Sequence, residues 1–184
     1  MHRSDPATAV RSHRKVARHL TCLRYDPVLA LKLLCRQDYF QVNTRYRIIT
    51  MDPRLVDRRG WLLRHFSEDH CDQAAAMVSL MAHGYTIILP FIADAHWYTA
   101  LLRQPRSGTI TATVINTLPG TATHHQQALK VARGLLRTRI ASAHQASGPV
   151  QADLNTCGPW TQAVIQAMQH GRSPPAGLCD GLLR

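Results

Sequence analysis

The sequence is poor in acidic residues and in lysine. Its 184 residues include 11 Asp and Glu against 22 Lys and Arg, which gives a formal net charge of +11. Nearly all of these cations are arginine, since the lysines are only Lys15, Lys32 and Lys130. The excess of positive charge favours an anionic partner such as an acidic protein surface, nucleic acid or anionic lipid, without selecting among them.

Paired cysteines and long apolar runs are also missing. The cysteines are odd in number and form no CxxC pair, which argues against a disulfide framework and a zinc knuckle and for a reducing compartment. No run of about 18 apolar residues occurs, so no membrane-spanning helix is predicted. We predict neither a metal site nor a cofactor. The cysteines are Cys22, Cys35, Cys71, Cys157 and Cys179.

The length and hydrophobic content fit one folded domain. Hydrophobic residues make up 45% of the chain, which excludes disorder of the whole sequence. We predict a basic N-terminal arm or extension over residues 1–50, one domain over 51–172 and a loose C-terminal tail over 173–184. The arm begins with an acid-poor stretch containing Arg and Ser, a composition shared by export signals and ordinary solvated tails.

The predicted elements are typical of an α+β fold, with a small mixed or antiparallel sheet flanked by helices. Helical spacing of apolar residues predicts helices at 27–37, 67–84, 124–140 and 157–170. Turn residues from Pro105 to Gly108 separate two alternating runs, which are therefore expected to form a hairpin. The predicted strands cover 45–50, 86–92, 97–103 and 109–115, with a short extended piece at 148–154.

The stretch VQADLNTCGPW places Cys157 at the start of the last predicted helix. Unpaired N–H groups and the helix dipole at such a position favour negative charge, so Cys157 is the candidate nucleophile. Gln151, six residues earlier, is the candidate side-chain donor of an oxyanion hole that the backbone N–H of Cys157 completes. A free cysteine at a helix start is also often a small buried residue, and this interpretation stays open.

His96 and Asn116 are the candidate base and its orienting partner. His96 begins one predicted strand after a loop, and Asn116 ends the next. If the turn is centred near Arg106, the residue numbers of paired positions add up to about 212, so His96 lies opposite Asn116. An amide oxygen there can accept from the imidazole and hold one tautomer. Each residue alone also fits an ordinary role, as a polar strand start or a turn residue.

The four candidates occur in the chain order His96, Asn116, Gln151 and Cys157, the reverse of the order in papain. This pattern resembles the Ulp-type cysteine peptidases, an adenain-like clan that includes SUMO-deconjugating and deubiquitinating proteases, adenovirus-type proteases and bacterial effectors. The resemblance implies the Ulp-type fold and a triad of base, orienting residue and nucleophile. It also implies an oxyanion hole formed by the glutamine and the N–H of the cysteine.

Flanking residues extend the resemblance over roughly Trp61 to Met168. ILPF stands where the family has an I-x-x-P strand before His-Trp, and the glutamine stands six residues before Cys-Gly. In the family, the residue at Trp97 looks like part of a narrow channel over the substrate's Gly-Gly tail. Two positions depart from the pattern: Asn116 stands where Asp is usual, so the imidazolium lacks a fixed anion, and Thr156 stands where Asp is frequent.

The resemblance implies a thiol-dependent hydrolase that cleaves after the Gly-Gly tail of ubiquitin or a ubiquitin-like modifier, SUMO included. The compact chain and its export-like start resemble a bacterial effector, which would act in the host cytoplasm or nucleus. Arg58 and Arg59 belong to a cluster of arginines that could meet an acidic face of the partner, where charge contributes steering and specificity. A solvated surface is the alternative role of this cluster.

Two other functions are compatible with the same residues. Effector acetyltransferases share this fold and triad and use acetyl-CoA, often with inositol hexakisphosphate, a polyanion that suits the charge of +11. A basic binding module with a decayed site, including one that binds nucleic acid, is suggested by Asn116 and Thr156. His-Trp and the glutamine before Cys-Gly favour the peptidase.

Overall fold

A six-stranded sheet forms the centre of the protein, seen here in a computed structural model that describes residues 26–36, 38–56, 71–105, 108–118, 124–136, 140–146 and 157–172. Four helices accompany the sheet in these segments, so the predicted α+β class is confirmed. The helices are α1 (Pro27–Cys35), α2 (Cys71–Ala82), α3 (His125–Leu136) and α4 (Cys157–Gln169), with a 3-10 turn at Pro53–Leu55. The strands are β1 (Phe40–Asn43), β2 (Ile48–Met51), β3 (Thr86–Ala93), β4 (His96–Arg103), β5 (Ile110–Ile115) and β6 (Ile140–Ala146).

The strands lie in the sheet in their chain order, from β1 to β6. Neighbours are antiparallel except for β2 with β3 and β5 with β6, which are parallel. Parallel neighbours require a crossover connection, and the chain passes through α2 in the first case and through α3 in the second. The sheet is therefore an antiparallel meander, β3 to β5, with one parallel crossover on each side.

The two faces of the sheet carry cores of unequal size. The larger core joins α1, α2 and α3 to one face, and the smaller core joins α4 to the other. Side chains alternate between the faces along β4, because Ala100 and Leu102 belong to the larger core and Leu101 to the smaller. Val164 and Met168 of α4 are buried against Leu101 in the smaller core.

The helix predicted from residue 27 is present, and local capping explains where it starts. The carboxylate of Asp26 accepts hydrogen bonds from the backbone N–H groups of Val28 and Leu29, both at 3.0 Å. Pro27 occupies the first turn, where its missing N–H costs no helical hydrogen bond.

The boundary predicted at residue 50 falls inside β2. Ala30 and Leu34 of α1 are fully buried in the larger core, and β1 pairs with β2 at the edge of the same sheet. The described part of 26–50 thus belongs to the sheet-forming unit, because Ala30 and Leu34 cover the sheet and β1 extends it. The arm predicted over residues 1–25 and the tail over 173–184 lie outside the described residues.

Strand β6 corrects the prediction of a helix that continues to Ile140. Helix α3 ends at Leu136, and Ile140 begins the strand. The sequence IASAHQA is rich in small and polar residues with little intrinsic preference for strands, so its pairing with β5 decides its conformation. The short strand β1 was also not predicted. The predicted extended piece at 148–154 lies outside the described residues.

The predicted hairpin of β4 and β5 is present, with a register that differs from the prediction. Thr99 pairs with Ile115 and Arg103 with Thr111, so paired positions sum to 214 instead of 212. A displacement of two residues preserves the face on which each side chain lies, since side chains alternate with a period of two. His96 and Asn116 therefore remain on one face of the sheet despite the shift.

The turn between β3 and β4 has two non-glycine residues in the left-handed region. Ala93 pairs with His96, and the two residues between them, Asp94 and Ala95, have φ angles of 48° and 60°. Two-residue hairpins of this kind require positive φ at both central positions, for which glycine is favoured. Asp tolerates this conformation better than Ala does, so the backbone strain falls on Ala95.

We expect Ala95→Gly to stabilise the protein. The left-handed conformation costs an alanine roughly 1–2 kcal/mol, and the extra freedom of glycine in the unfolded chain offsets about 0.4–1 kcal/mol. The free energy of unfolding in urea should therefore rise by about 0.5–1 kcal/mol. The matched control Ala163→Gly, inside α4, should lower it by about 1 kcal/mol. A loss of stability at both positions would contradict the interpretation of strain at Ala95.

Candidate active site

His96 and Asn116 lie together at one end of the sheet. His96 is the first residue of β4, and Asn116 follows the last residue of β5. The imidazole Nε2 lies 3.0 Å from the side-chain Oδ1 of Asn116, within hydrogen-bond distance. Both side chains are buried, with 7% and 5% of their residue surface exposed. The hairpin thus supplies a buried imidazole with a defined orientation.

A second hydrogen bond identifies the tautomer of His96. The backbone N–H of Leu118 donates to the same Oδ1 of Asn116 at 3.0 Å. A backbone N–H can only donate, so the Asn116 atom that it contacts is the acceptor oxygen and not the amide nitrogen. His96 therefore donates from Nε2, and in the neutral ring Nδ1 carries the lone pair. An imidazole held in this way can accept a proton at Nδ1.

Burial is the main cause that lowers the pKa of His96 from its usual value of 6.5. The hydrogen bond to Asn116 acts in the opposite direction and raises the pKa, while the nearby His124 lowers it further. The net direction favours the neutral imidazole, which is the form that can act as a base at neutral pH.

Cys157 is the first residue of α4 and is buried, with 8% of its surface exposed. It is a free thiol, as is the exposed Cys35. The next residue, Gly158, lies against Trp97, since a Cβ placed on Gly158 would be 3.6 Å from the indole Cδ1 and 3.7 Å from Nε1. Trp97 in turn follows His96 in β4. The start of α4 therefore packs on the residue adjacent to the candidate base.

His124 is a neighbour of this site that the sequence did not indicate. Its ring lies edge-on to Tyr98, with centroids 5.1 Å apart, and its Nε2 lies 3.2 Å from the carboxylate of Asp94. It precedes α3, and its carbonyl accepts the first helical hydrogen bond, from Ala128. The only local signal was a histidine at the start of an amphipathic segment that follows the strand ending at Asn116.

The remaining predicted site residues cannot be placed beside these. Gln151, Arg58 and Arg59 lie outside the described residues, as does Thr156. Of the predicted set, the structure brings together His96 with Asn116, and Trp97 with the glycine that follows Cys157. In the described segments, no helix is long and apolar enough to cross a membrane.

No protein-family model and no curated protein matches the chain. Among solved structures, the chain is similar to the effector XopD of Xanthomonas campestris bound to ubiquitin, with 17% identity over 88% of this chain and 81% of that chain and a TM-score of 0.47. It is also similar to a de-sumoylating protease, with 9% identity over 83% of this chain and 61% of that chain and a TM-score of 0.42.

The lowered pKa of His96 predicts a specific dependence of stability on pH. The folded protein holds the proton on His96 less tightly than the unfolded chain, so this contribution is complete above pH 6.5 and is lost as the pH falls through that value. Between pH 7.5 and 5.5, the free energy of unfolding of the wild type should fall more steeply than that of His96→Gln. Because the folded and unfolded states differ by at most one bound proton at His96, the extra slope cannot exceed about 1.4 kcal/mol per pH unit.

Urea unfolding at pH 5.5, 6.5 and 7.5 measures this difference in slope. His144→Gln removes an exposed histidine of β6 and serves as the control, with a slope expected to match that of the wild type. Parallel curves for the wild type and His96→Gln would show that burial does not disfavour the imidazolium of His96.

Proposed function

We propose that this protein is a cysteine peptidase or isopeptidase that cleaves after the Gly-Gly tail of ubiquitin or a ubiquitin-like modifier. The observation that carries the proposal is the buried hydrogen bond from His96 Nε2 to Asn116 Oδ1. It leaves Nδ1 as the basic atom of a neutral ring. A buried free cysteine begins the helix that packs on the next residue of β4, Trp97. The order and spacing of these residues in the sequence supply the resemblance to Ulp-type peptidases.

In the proposed mechanism, His96 Nδ1 takes the proton of the Cys157 thiol, and the thiolate attacks the carbonyl carbon after the Gly-Gly tail. The bond from that carbon to the leaving nitrogen then breaks, and the amine departs with the proton from Nδ1. A thioester remains on the cysteine. Water, deprotonated by His96, attacks the thioester and breaks its C–S bond, which releases a carboxylic acid that ionises into the solvent. His96 then returns its proton to the Cys157 thiolate. Asn116 holds the ring through both steps.

The start of α4 supports the nucleophile electrostatically. The first N–H groups of a helix have no partner within the helix and favour negative charge, whether on a thiolate or on a tetrahedral oxyanion. With Gln151 as a side-chain donor and the backbone N–H of Cys157, two N–H groups would stabilise the oxyanion.

Substrate selection is proposed to depend on Trp97 and on the basic surface. Trp97 is half-buried and lies in van der Waals reach of Gly158, which makes a narrow wall next to the nucleophile. A tail of two glycines has no side chains to meet such a wall. Arg58 and Arg59, in a chain of charge +11, would steer an acidic face of the modifier toward the site.

Ubiquitin and SUMO probes that carry a C-terminal propargyl group test the proposal directly. We expect at least one modifier to form a covalent adduct with the wild type, seen as a mass increase by one modifier, because the warhead places an alkyne carbon where the scissile carbonyl would lie. Cys157→Ala should abolish the adduct. Cys35→Ala removes the exposed free thiol and should leave the adduct unchanged.

Absence of an adduct with every modifier would argue strongly against the peptidase. Thermal stabilisation by inositol hexakisphosphate together with acetyl transfer from acetyl-CoA would then favour the acetyltransferase. Nucleic-acid binding with a steep salt dependence and an unreactive Cys157 would favour a binding module.

Variants of Asn116 separate orientation from charge. Asn116→Asp keeps an oxygen that accepts from both His96 and Leu118, so the rate of adduct formation should stay within the wild-type range or rise. Asn116→Leu has a similar volume but no acceptor, and the rate should fall by roughly 100-fold, a typical contribution of a correctly held base. Second-order rate constants with the reactive probe measure both. An equal loss in the two variants would mean that the acceptor oxygen is not what matters.

A further inference from the structure

A chain of four side chains connects the β3–β4 turn to the candidate base. The carboxylate of Asp94, in the turn, lies 3.2 Å from Nε2 of His124. The ring of His124 contacts Tyr98 edge-on, with centroids 5.1 Å apart, and Tyr98 contacts the ring of His96 edge-on at 4.8 Å. Tyr98 is only 2% exposed, so its ring is fixed by the core that surrounds it. Both imidazoles thus contact the ring of the buried Tyr98.

The β3–β4 turn, which contains Asp94, has a strained backbone. Asp94 and Ala95 both have positive φ angles, and His96 follows them directly as the first residue of β4. A relaxation of this strained backbone would displace His96 first, because no residue separates the turn from it. The ion-pair contact of Asp94 with His124 connects the turn to the residue that precedes α3, and so opposes that relaxation.

We propose that His124 is a positioning residue for His96, on which it acts through its ion-pair contact with Asp94 in the β3–β4 turn and through its ring contact with Tyr98. This role rests on the proposed peptidase function, in which His96 is the base. A purely packing role at this place needs only a side chain of similar size, whereas His124 has an imidazole whose Nε2 lies 3.2 Å from the carboxylate of the turn residue Asp94.

His124 also acts on His96 electrostatically. In the described segments, Tyr98 on β4, Asn116 after β5 and His124 before α3 each act on the ring of His96. The electrostatic effect of His124 lowers the pKa of His96, in addition to the lowering by burial. With His124 in place, His96 therefore keeps a neutral ring to a lower pH than it would beside an uncharged side chain.

Two variants remove the ion-pair contact between His124 and Asp94 in different ways. His124→Phe keeps an aromatic ring against Tyr98 but has neither the N–H nor the charge. Asp94→Gly removes the acceptor while retaining a residue suited to positive φ, and Asp94→Asn restores a neutral acceptor at the same place. The matched control is His144→Phe, on an exposed position of β6.

Two measurements on the full chain test the role. The pKa of His96, from NMR titration of its ring protons, should rise in His124→Phe and stay unchanged in His144→Phe. The rate of iodoacetamide alkylation of Cys157, followed from pH 5.5 to 8.5, should fall by about fivefold at pH 6 in His124→Phe and Asp94→Gly, an effect of the size of a partly exposed ion pair. Asp94→Asn should recover part of the loss.

The titration and the alkylation report separately on the inference and on the proposed function. An unchanged pKa of His96 in His124→Phe, with an alkylation profile identical to that of His144→Phe, would overturn the positioning role even if the wild type reacts with ubiquitin or SUMO probes. A wild type that reacts with no modifier probe would overturn the peptidase, while a shifted His96 titration would still support the link between the two histidines.

Discussion

The hydrogen bond between His96 and Asn116 depends on the pairing of β4 with β5, and the rest of the candidate site depends on that bond. The two residues are 20 positions apart in the chain and meet because one opens a strand of the hairpin and the other follows its partner strand. Asn116 receives a second bond from Leu118, so its own orientation is determined by the backbone. The backbone thus fixes the side chain of Asn116, and Asn116 in turn orients the imidazole of His96.

The cysteine proposed as the nucleophile belongs to a different part of the structure, at the start of α4. Helix α4 packs on the opposite face of the sheet from α1, α2 and α3, and its first turn contacts the strand that begins with His96. The contact of Gly158 with Trp97 marks that approach. Two independent structural units therefore converge at one edge: the hairpin, which fixes the imidazole, and the smaller core, which fixes the helix that carries Cys157.

Local chemistry made part of this architecture predictable from the sequence. Pro27 and Cys157 each begin a helix, because capping and first-turn residues act on their immediate neighbours. Features that depend on distant partners were harder to predict. Strand β6 forms from a sequence that does not favour strands, since β5 supplies its hydrogen bonds. The hairpin register was predicted two residues out, because composition does not locate the tip of a turn. His124 was missed, since its relation to Asp94 and Tyr98 arises only from the folded arrangement.

The strand order has a consequence for how the molecule is assembled. Because β3, β4 and β5 are consecutive in both the chain and the sheet, short loops connect them, and closing a short loop sacrifices little chain entropy. Helix α4 must instead dock from the far end of the chain onto strands that already exist. Synthesis from the N-terminus would complete the histidine-bearing meander before the cysteine leaves the ribosome. Cys157, at the start of α4, would then reach its final position only after α4 has packed on the sheet.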